Sequence, residues 1–207
     1  MSMNVKDISE IFKERKVQHL NQEKSPSYAI LLPIVEENGE LYVLFEVRAK
    51  HLNNQPGEIC FPGGKVDETD ASLIEAAIRE TSEELGVDPH HVVDVYPLDY
   101  TVGNMNFYPF VGRLLKPKKI NPHPEEVDSI FMISLDELLM IKPLEHVVKF
   151  VPTPEDDFPF DLIPNGRDYR WFPRKVMQYF YLYEDKVIWG LTAQILHHFL
   201  EIVRDRD

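Results

Sequence analysis

Four residues near the middle of the chain have the types and spacing for phosphate chemistry: Arg79, Glu80, Glu83 and Glu84. On a helix of about 3.6 residues per turn, offsets of three and four return to the same face. The three glutamates therefore project their carboxylates into one narrow arc. Arg79 stands one turn before Glu83 and can pair with it. The opposite face is apolar at Ile74, Ala77, Ile78 and Leu85. Like charges at i,i+4 destabilise a helix by roughly 0.2–0.5 kcal/mol per pair. From Asp67 to Glu84 the segment holds seven acids against one arginine. A hard divalent cation removes that repulsion, because Mg²⁺ and Mn²⁺ prefer carboxylate, carbonyl and water oxygens. A merely solvated helix face is the alternative. It is disfavoured because the cluster follows a Pro62-Gly63-Gly64 turn and encloses an arginine.

The stretch Phe61 to Val87, FPGGKVDETDASLIEAAIRETSEELGV, resembles the Nudix box, G-x5-E-x7-R-E-U-x-E-E-x-G-U, with U a bulky aliphatic residue. Gly64 matches the opening glycine, and Arg79, Glu80, Glu83, Glu84, Gly86 and Val87 match the second half. The chain departs from the pattern in three places. Asp70 stands where the first glutamate is expected, eight residues separate it from Arg79, and Thr81 fills an aliphatic position. Asp70 reads equally as the helix N-cap, since an aspartate there accepts a hydrogen bond from a free backbone N–H; the cap is the reading adopted. The preceding segment, LFEVRAKHLNNQPGEICFPGG, is similar to the flank of the box in coenzyme A diphosphatases. That pattern is roughly L-L-T-x-R-S, then x-x-L-R-x-H-x-G-x-x-x-F-P-G-G. Leu44, Arg48, Leu52, Gly57, Phe61, Pro62, Gly63 and Gly64 fit it, while Asn53 and Gln55 replace the arginine and histidine. The ending VIWGLTAQIL resembles the entry to that family's last helix.

The resemblance implies an α/β fold, the Nudix α/β/α sandwich with a mixed central β-sheet and a catalytic loop and helix. It also implies hydrolysis of a pyrophosphate within a larger molecule. Coenzyme A would give 3′,5′-ADP and 4′-phosphopantetheine. Such chemistry needs a metal to polarise the phosphoryl oxygens, a carboxylate to take a proton from water, and positive charge beside the leaving phosphate. Glu80, Glu83 and Glu84 are assigned to Mg²⁺ or Mn²⁺, with a backbone carbonyl near Gly64 as a further ligand. Glu80, directly or through a bound water, is nearest the base role. Arg79 orients Glu83. Glu126 is the candidate additional carboxylate, with Glu125 as its competitor. Arg48 and Lys65 are candidates for the substrate phosphates. The histidines form no ligand constellation, and the aromatics Phe160, Tyr169, Trp171 and Phe172 read as packing rather than as a base-stacking platform.

The elements that must position these groups follow from periodicity. Residues 4–20 read as a helix with Val5, Ile8, Ile11 and Phe12 on one side. Tyr28 to Val35 and Leu41 to Val47 read as strands joined by an Asn38-Gly39 hairpin, and Ile59 to Phe61 as a short strand into the acidic loop. The central helix spans about 71–85, with Gly86 at its stop. Further strands are expected at 92–100, 107–115, 127–133, 175–183 and 187–189, with helices at 135–140 and 191–203. An irregular flap is expected from Pro152 to Pro173.

At 207 residues the chain suits one domain, residues 25–207, after an N-terminal helical extension, residues 1–24. A hydrophobic fraction of 43% supports a sizeable core. No apolar run approaches the roughly 20 residues of a membrane span, and the charged N-terminus lacks a signal peptide's apolar centre. Cys60 is the one cysteine; it reads as a small buried hydrophobe and points to the cytoplasm. A net charge of −13 argues against nucleic acid, which needs basic groups to replace counterions. The expected partner is a small-molecule nucleotide, and a homodimer is left open. Two rival readings accompany the coenzyme A diphosphatase: a Nudix hydrolase for ADP-ribose or another nucleoside diphosphate derivative, and a non-turnover, ligand-sensing Nudix domain. The last is disfavoured because all three glutamates are in place.

Overall fold

The computed structural model describes residues 5–13 and 25–205. Its organising strand is β1 (Ser27–Glu37), an apolar run that turns at Asn38-Gly39 into β2 (Glu40–Arg48). Both turn residues have positive φ, 53° and 85°, which suits Asn-Gly and matches the twist of an antiparallel hairpin. The strands are in register at Ile34↔Val43. On its other side β1 pairs in parallel with β6 (Asn106–Leu114), which pairs antiparallel with β5 (Val92–Pro97). Beyond β2 lie β3 (Ile59–Cys60) and, by a separate pairing, β7 (Val127–Ser134). One parallel pairing among antiparallel ones makes the sheet mixed, as expected.

The Pro-Gly-Gly turn does more than turn. Gly63 to Lys65 form β4, antiparallel to the start of β1 with Ala29 opposite Gly64. Sequence patterning misses this strand because two of its three residues are glycine.

Alternation along β2 divides the core in two. Leu44 packs with Ala29, Leu31, Val35 and with Ala76, Ala77 and Leu85 of α2 (Leu73–Leu85). Val43 and Phe45 pack with Ala193, Leu196, Phe199 and Leu200 of α4 (Gly190–Arg204), and with Leu138 of α3 (Leu135–Met140). Helices thus cover both faces of the sheet.

A second antiparallel sheet, β8 (Leu144–Phe150), β9 (Arg174–Tyr183) and β10 (Lys186–Ile188), joins the α4 side through β9. β8 was not expected. All seven of its residues are exposed, so it carries no inward-outward alternation. Residues 151–173 are irregular apart from two short 3-10 turns, Phe160–Leu162 and Gly166–Asp168. Of the N-terminal helix, α1 (Val5–Lys13) is formed and buries none of its residues; the rest of the helix expected over 4–20 lies outside the described residues.

Candidate active site

The site is built on α2 and the loop before it. Ser72 is the helix N-cap, its hydroxyl accepting from Glu75 N–H at 3.2 Å. This corrects the reading of Asp70 as the cap. Asp70 instead binds Arg79 through both carboxylate oxygens, from Nε and Nη2, each at 2.9 Å. The planar guanidinium fork suits such bidentate pairing. Nη2 also donates to the Lys65 carbonyl at 3.2 Å, while Nη1 lies 2.9 Å from Glu80 Oε1 and 3.2 Å from Glu83 Oε2. Arg79 therefore ties the loop, the helix and two glutamates together.

The three glutamates do not share one environment. Glu83 faces outward, and its side chain is 59% exposed. Glu84 is 4% exposed and accepts from Gly63 N–H at 2.7 Å. Ala77, Thr81, Glu84 and Leu85 form the buried stripe, at offsets of four, seven and eight. Ile74, expected inward, is 37% exposed. The inward face is thus rotated toward Glu84. Thr81 tolerates burial because its hydroxyl donates to the Ala77 carbonyl at 2.7 Å. Glu80 leans on Gly64, where any Cβ would run into its carboxylate.

Burial pushes the Glu84 carboxyl well above the usual carboxylate range, and the charge of Glu46 adds to this; the Gly63 N–H opposes it. Burial also raises Glu80, against the pull of Arg79. Glu46 is the residue that sequence reasoning missed. It is 1% exposed on β2, and its parity with Leu44 turns it toward α2. Cys60, opposite it on β3, donates its thiol to Glu46 Oε1 at 3.1 Å. Glu46 Oε2 is buried and has no partner among the described residues. Burial raises the Glu46 carboxyl and the Cys60 thiol alike. The signal lay in the strand pattern LYVLFEVR, where an acid occupies an inward position.

A loop hung from the end of α2 carries Glu126. Asn121 N–H donates to Leu85 O at 3.0 Å, His123 N–H to Glu84 O at 2.8 Å, and Ala49 N–H to Glu126 O at 2.9 Å. The charge of Glu126 reaches Glu46, Glu80 and Glu84. Its competitor Glu125 points to His51, 3.5 Å from Nε2. Arg48 closes β2 opposite Val127, and its Nε donates to Asn54 O at 3.4 Å. Lys65 is exposed at the end of β4. The fold therefore seats Glu84 and Glu80 on Gly63 and Gly64, sets Glu84 under the charges of Glu46 and Glu126, and leaves Glu83, Lys65 and Arg48 at the rim.

Among the described residues, no three acidic, histidine or cysteine side chains converge into a ready-made metal cage. The donor types nevertheless fit a hard divalent cation. They are carboxylates, several of them partly or wholly desolvated, and one has a buried oxygen without a partner. Elsewhere, His197 stacks on Tyr179 with centroids 3.8 Å apart and bonds the Tyr181 hydroxyl at 2.8 Å. The rings of Phe158, Phe160, Tyr169 and Trp171 pack on one another. Among the described residues no helix is long and apolar enough to cross a membrane.

The NUDIX domain model matches residues 25–154. The mouse (Mus musculus) peroxisomal coenzyme A diphosphatase NUDT7 is 37% identical over 126 residues, 60% of this chain and 52% of that protein. The match thus spans about half the length of the mouse relative. An uncharacterized Nudix hydrolase NudL from Enterobacter sp. (strain 638) is 33% identical over 172 residues, 81% of this chain and 78% of that one. Among solved structures, a MutT/nudix family protein from Enterococcus faecalis superposes with a TM-score of 0.52 at 14% identity. It covers 98% of this chain and 70% of its own, a likeness of fold. The chain belongs to the Nudix family of hydrolases.

Proposed function

We propose that the protein hydrolyses the pyrophosphate of coenzyme A or an acyl derivative, releasing 3′,5′-ADP and the (acyl-)4′-phosphopantetheine. The observation that carries the reading is the seating of Glu84 and Glu80 on Gly63 and Gly64, with Arg79 holding the loop against the helix. Glu80, Glu83 and Glu84 would hold Mg²⁺ or Mn²⁺, with Gly64 and Glu126 as further oxygen donors. When bound, the ion polarises the phosphoryl oxygens and offsets charge that develops in the transition state. Glu80, directly or through a bound water, is nearest to the proton-accepting role. Arg79 is a positioning residue, with its guanidinium committed to Asp70, Glu80, Glu83 and Lys65. Arg48 and Lys65 provide positive charge for the substrate phosphates.

Three observations support coenzyme A over other nucleotides. The flank of the box is similar to that of coenzyme A diphosphatases, and the mouse relative bears that name. A cleft of about 730 Å³, lined in part by Ile59, Ile130, Phe131, Phe180, Val187 and Trp189, offers an apolar wall suited to a pantetheine or acyl arm. The second reading, ADP-ribose or another nucleoside diphosphate derivative, is favoured by Gln55 in place of the flanking histidine; its amide donates to Glu58 at 3.2 Å.

A substrate panel with Mg²⁺ or Mn²⁺ tests the choice. Coenzyme A should be cleaved with the highest kcat/KM. Turnover of ADP-ribose with coenzyme A untouched would move the protein to the second reading. Glu83→Gln and Glu84→Gln should each lower kcat by about 10²–10³-fold, the scale of removing one charge-stabilising group. A variant at wild-type rate would remove that glutamate from the machinery.

A further inference from the structure

We propose that Glu46 is a further metal-ligating residue, presenting its buried Oε2 beside Glu84 and Glu126 to a divalent cation. The inference rests on the reading that the α2 glutamates hold the metal, and extends the ligand set to the central sheet. Glu46 is 1% exposed, and among the described residues its Oε2 has no hydrogen-bond partner. A buried acceptor without a partner is uncommon in folded proteins and calls for a reason. Arg48, two residues on, shares its side of β2 and its charge acts on Glu46, yet its Nε donates to the Asn54 carbonyl and not to Oε2.

Cys60 fixes the carboxylate without satisfying it. The thiol donates to Oε1 at 3.1 Å, leaving Oε2 free on the α2 side of the sheet. The acids whose charge is felt at that point are Glu84 and Glu126. Glu84 has one oxygen on Gly63 N–H, and Glu126 hangs on the loop tethered to α2. Carboxylates on a strand, a helix and a loop offer hard oxygens of the kind that suit Mg²⁺ or Mn²⁺ and not a soft metal. The flanking pattern described above carries threonine at the position of Glu46, so this donor departs from that pattern.

The test measures Mn²⁺ binding to the full chain by calorimetry and by electron paramagnetic resonance, without substrate. Wild type, Glu46→Gln, Glu46→Thr and Glu84→Gln are compared, with circular dichroism and metal-free melting to establish folding. Both Glu46 variants should stay folded and bind Mn²⁺ at least about tenfold more weakly, the lower end of what losing even an outer-shell partner costs. If Glu84→Gln loses binding while Glu46→Gln keeps wild-type affinity and stoichiometry, the proposal is overturned and the helix assignment stands. If the wild type itself takes up no Mn²⁺, both fall together.

Discussion

Arg79 commits its guanidinium to the protein, and that decides its role. With Nε and Nη2 on Asp70, Nη2 also on Lys65 O, and Nη1 on Glu80 and Glu83, it sets where the glutamates point. Lysine keeps the charge but not the fork. Arg79→Lys should therefore lower kcat by about 10- to 100-fold, the usual scale for losing a partner that orients ligands. It should also raise the Mg²⁺ concentration needed for half-maximal rate. A lysine variant with an unchanged Mg²⁺ titration would mean the orientation is not needed. The Asp70 side of the pair has a pH signature. The Arg79 guanidinium, helped by the Asp67 N–H, holds the Asp70 carboxyl down at about 2, against an ordinary value of 3.8. A depressed folded value contributes stability above the ordinary value, and that contribution is lost as pH falls through about 2. Asp70→Asn should thus melt below the wild type near neutral pH, with the gap closing as pH drops from about 4 to about 2. A gap that stays constant across that range would refute the ion pair as its cause.

At the level of elements, the end of α2 matters as much as its carboxylates. Gly86 adopts φ 61°, and a Cβ there would meet the Asn121 carbonyl oxygen. The same loop bonds Leu85 O and Glu84 O and carries Glu126. Gly86→Ala should cost at least the about 1–2 kcal/mol of left-handed strain and push the loop off the helix. Its denaturation midpoint and kcat should fall together, with faster amide exchange over residues 120–127. A variant that unfolds like wild type would show that the loop accommodates the methyl. Much of this layer was readable from sequence. Asn38-Gly39, Gly86 and the apolar runs of β1 and β2 each state a local requirement that the fold obeys. Other features were hidden for physical reasons. β8 lies exposed on both faces, so it leaves no periodic trace. β4 is mostly glycine. Glu84 was placed on the acidic face with Glu80 and Glu83, although its offsets from Ala77 and Thr81 place it on the buried stripe. Glu46 sat unnoticed among apolar neighbours, its burial made visible only when β2 and α2 came together. Asp70 resembled a cap because its contact with Arg79 spans the loop and the first turns of the helix, and only the folded backbone brings the two together.

Across the whole molecule the two sheet faces divide the work. The α2 face gathers the carboxylates. The α4 face anchors the second sheet through β9, where the Tyr181 ring is fully buried and its hydroxyl lies 2.8 Å from His197 Nδ1. Tyr179 stacks on the same imidazole. Tyr181→Phe keeps the ring and removes the hydroxyl, stranding a buried nitrogen of His197. Such a loss costs about 1–3 kcal/mol, and Tyr181→Ala should cost more, about 3–5 kcal/mol, because it also empties the site. No atom of this contact reaches α2. The phenylalanine variant should therefore melt at a lower temperature while keeping wild-type Mn²⁺ affinity and kcat at saturating substrate. The cleft between β2, β7 and β10 is lined by Phe180 and Trp189, which neighbour β9's anchor. Any kinetic change should consequently appear in KM alone. If Tyr181→Phe instead depressed Mn²⁺ binding as strongly as Glu84→Gln, the sheet would be transmitting strain from one face to the other, and the separation of anchoring from chemistry would be wrong.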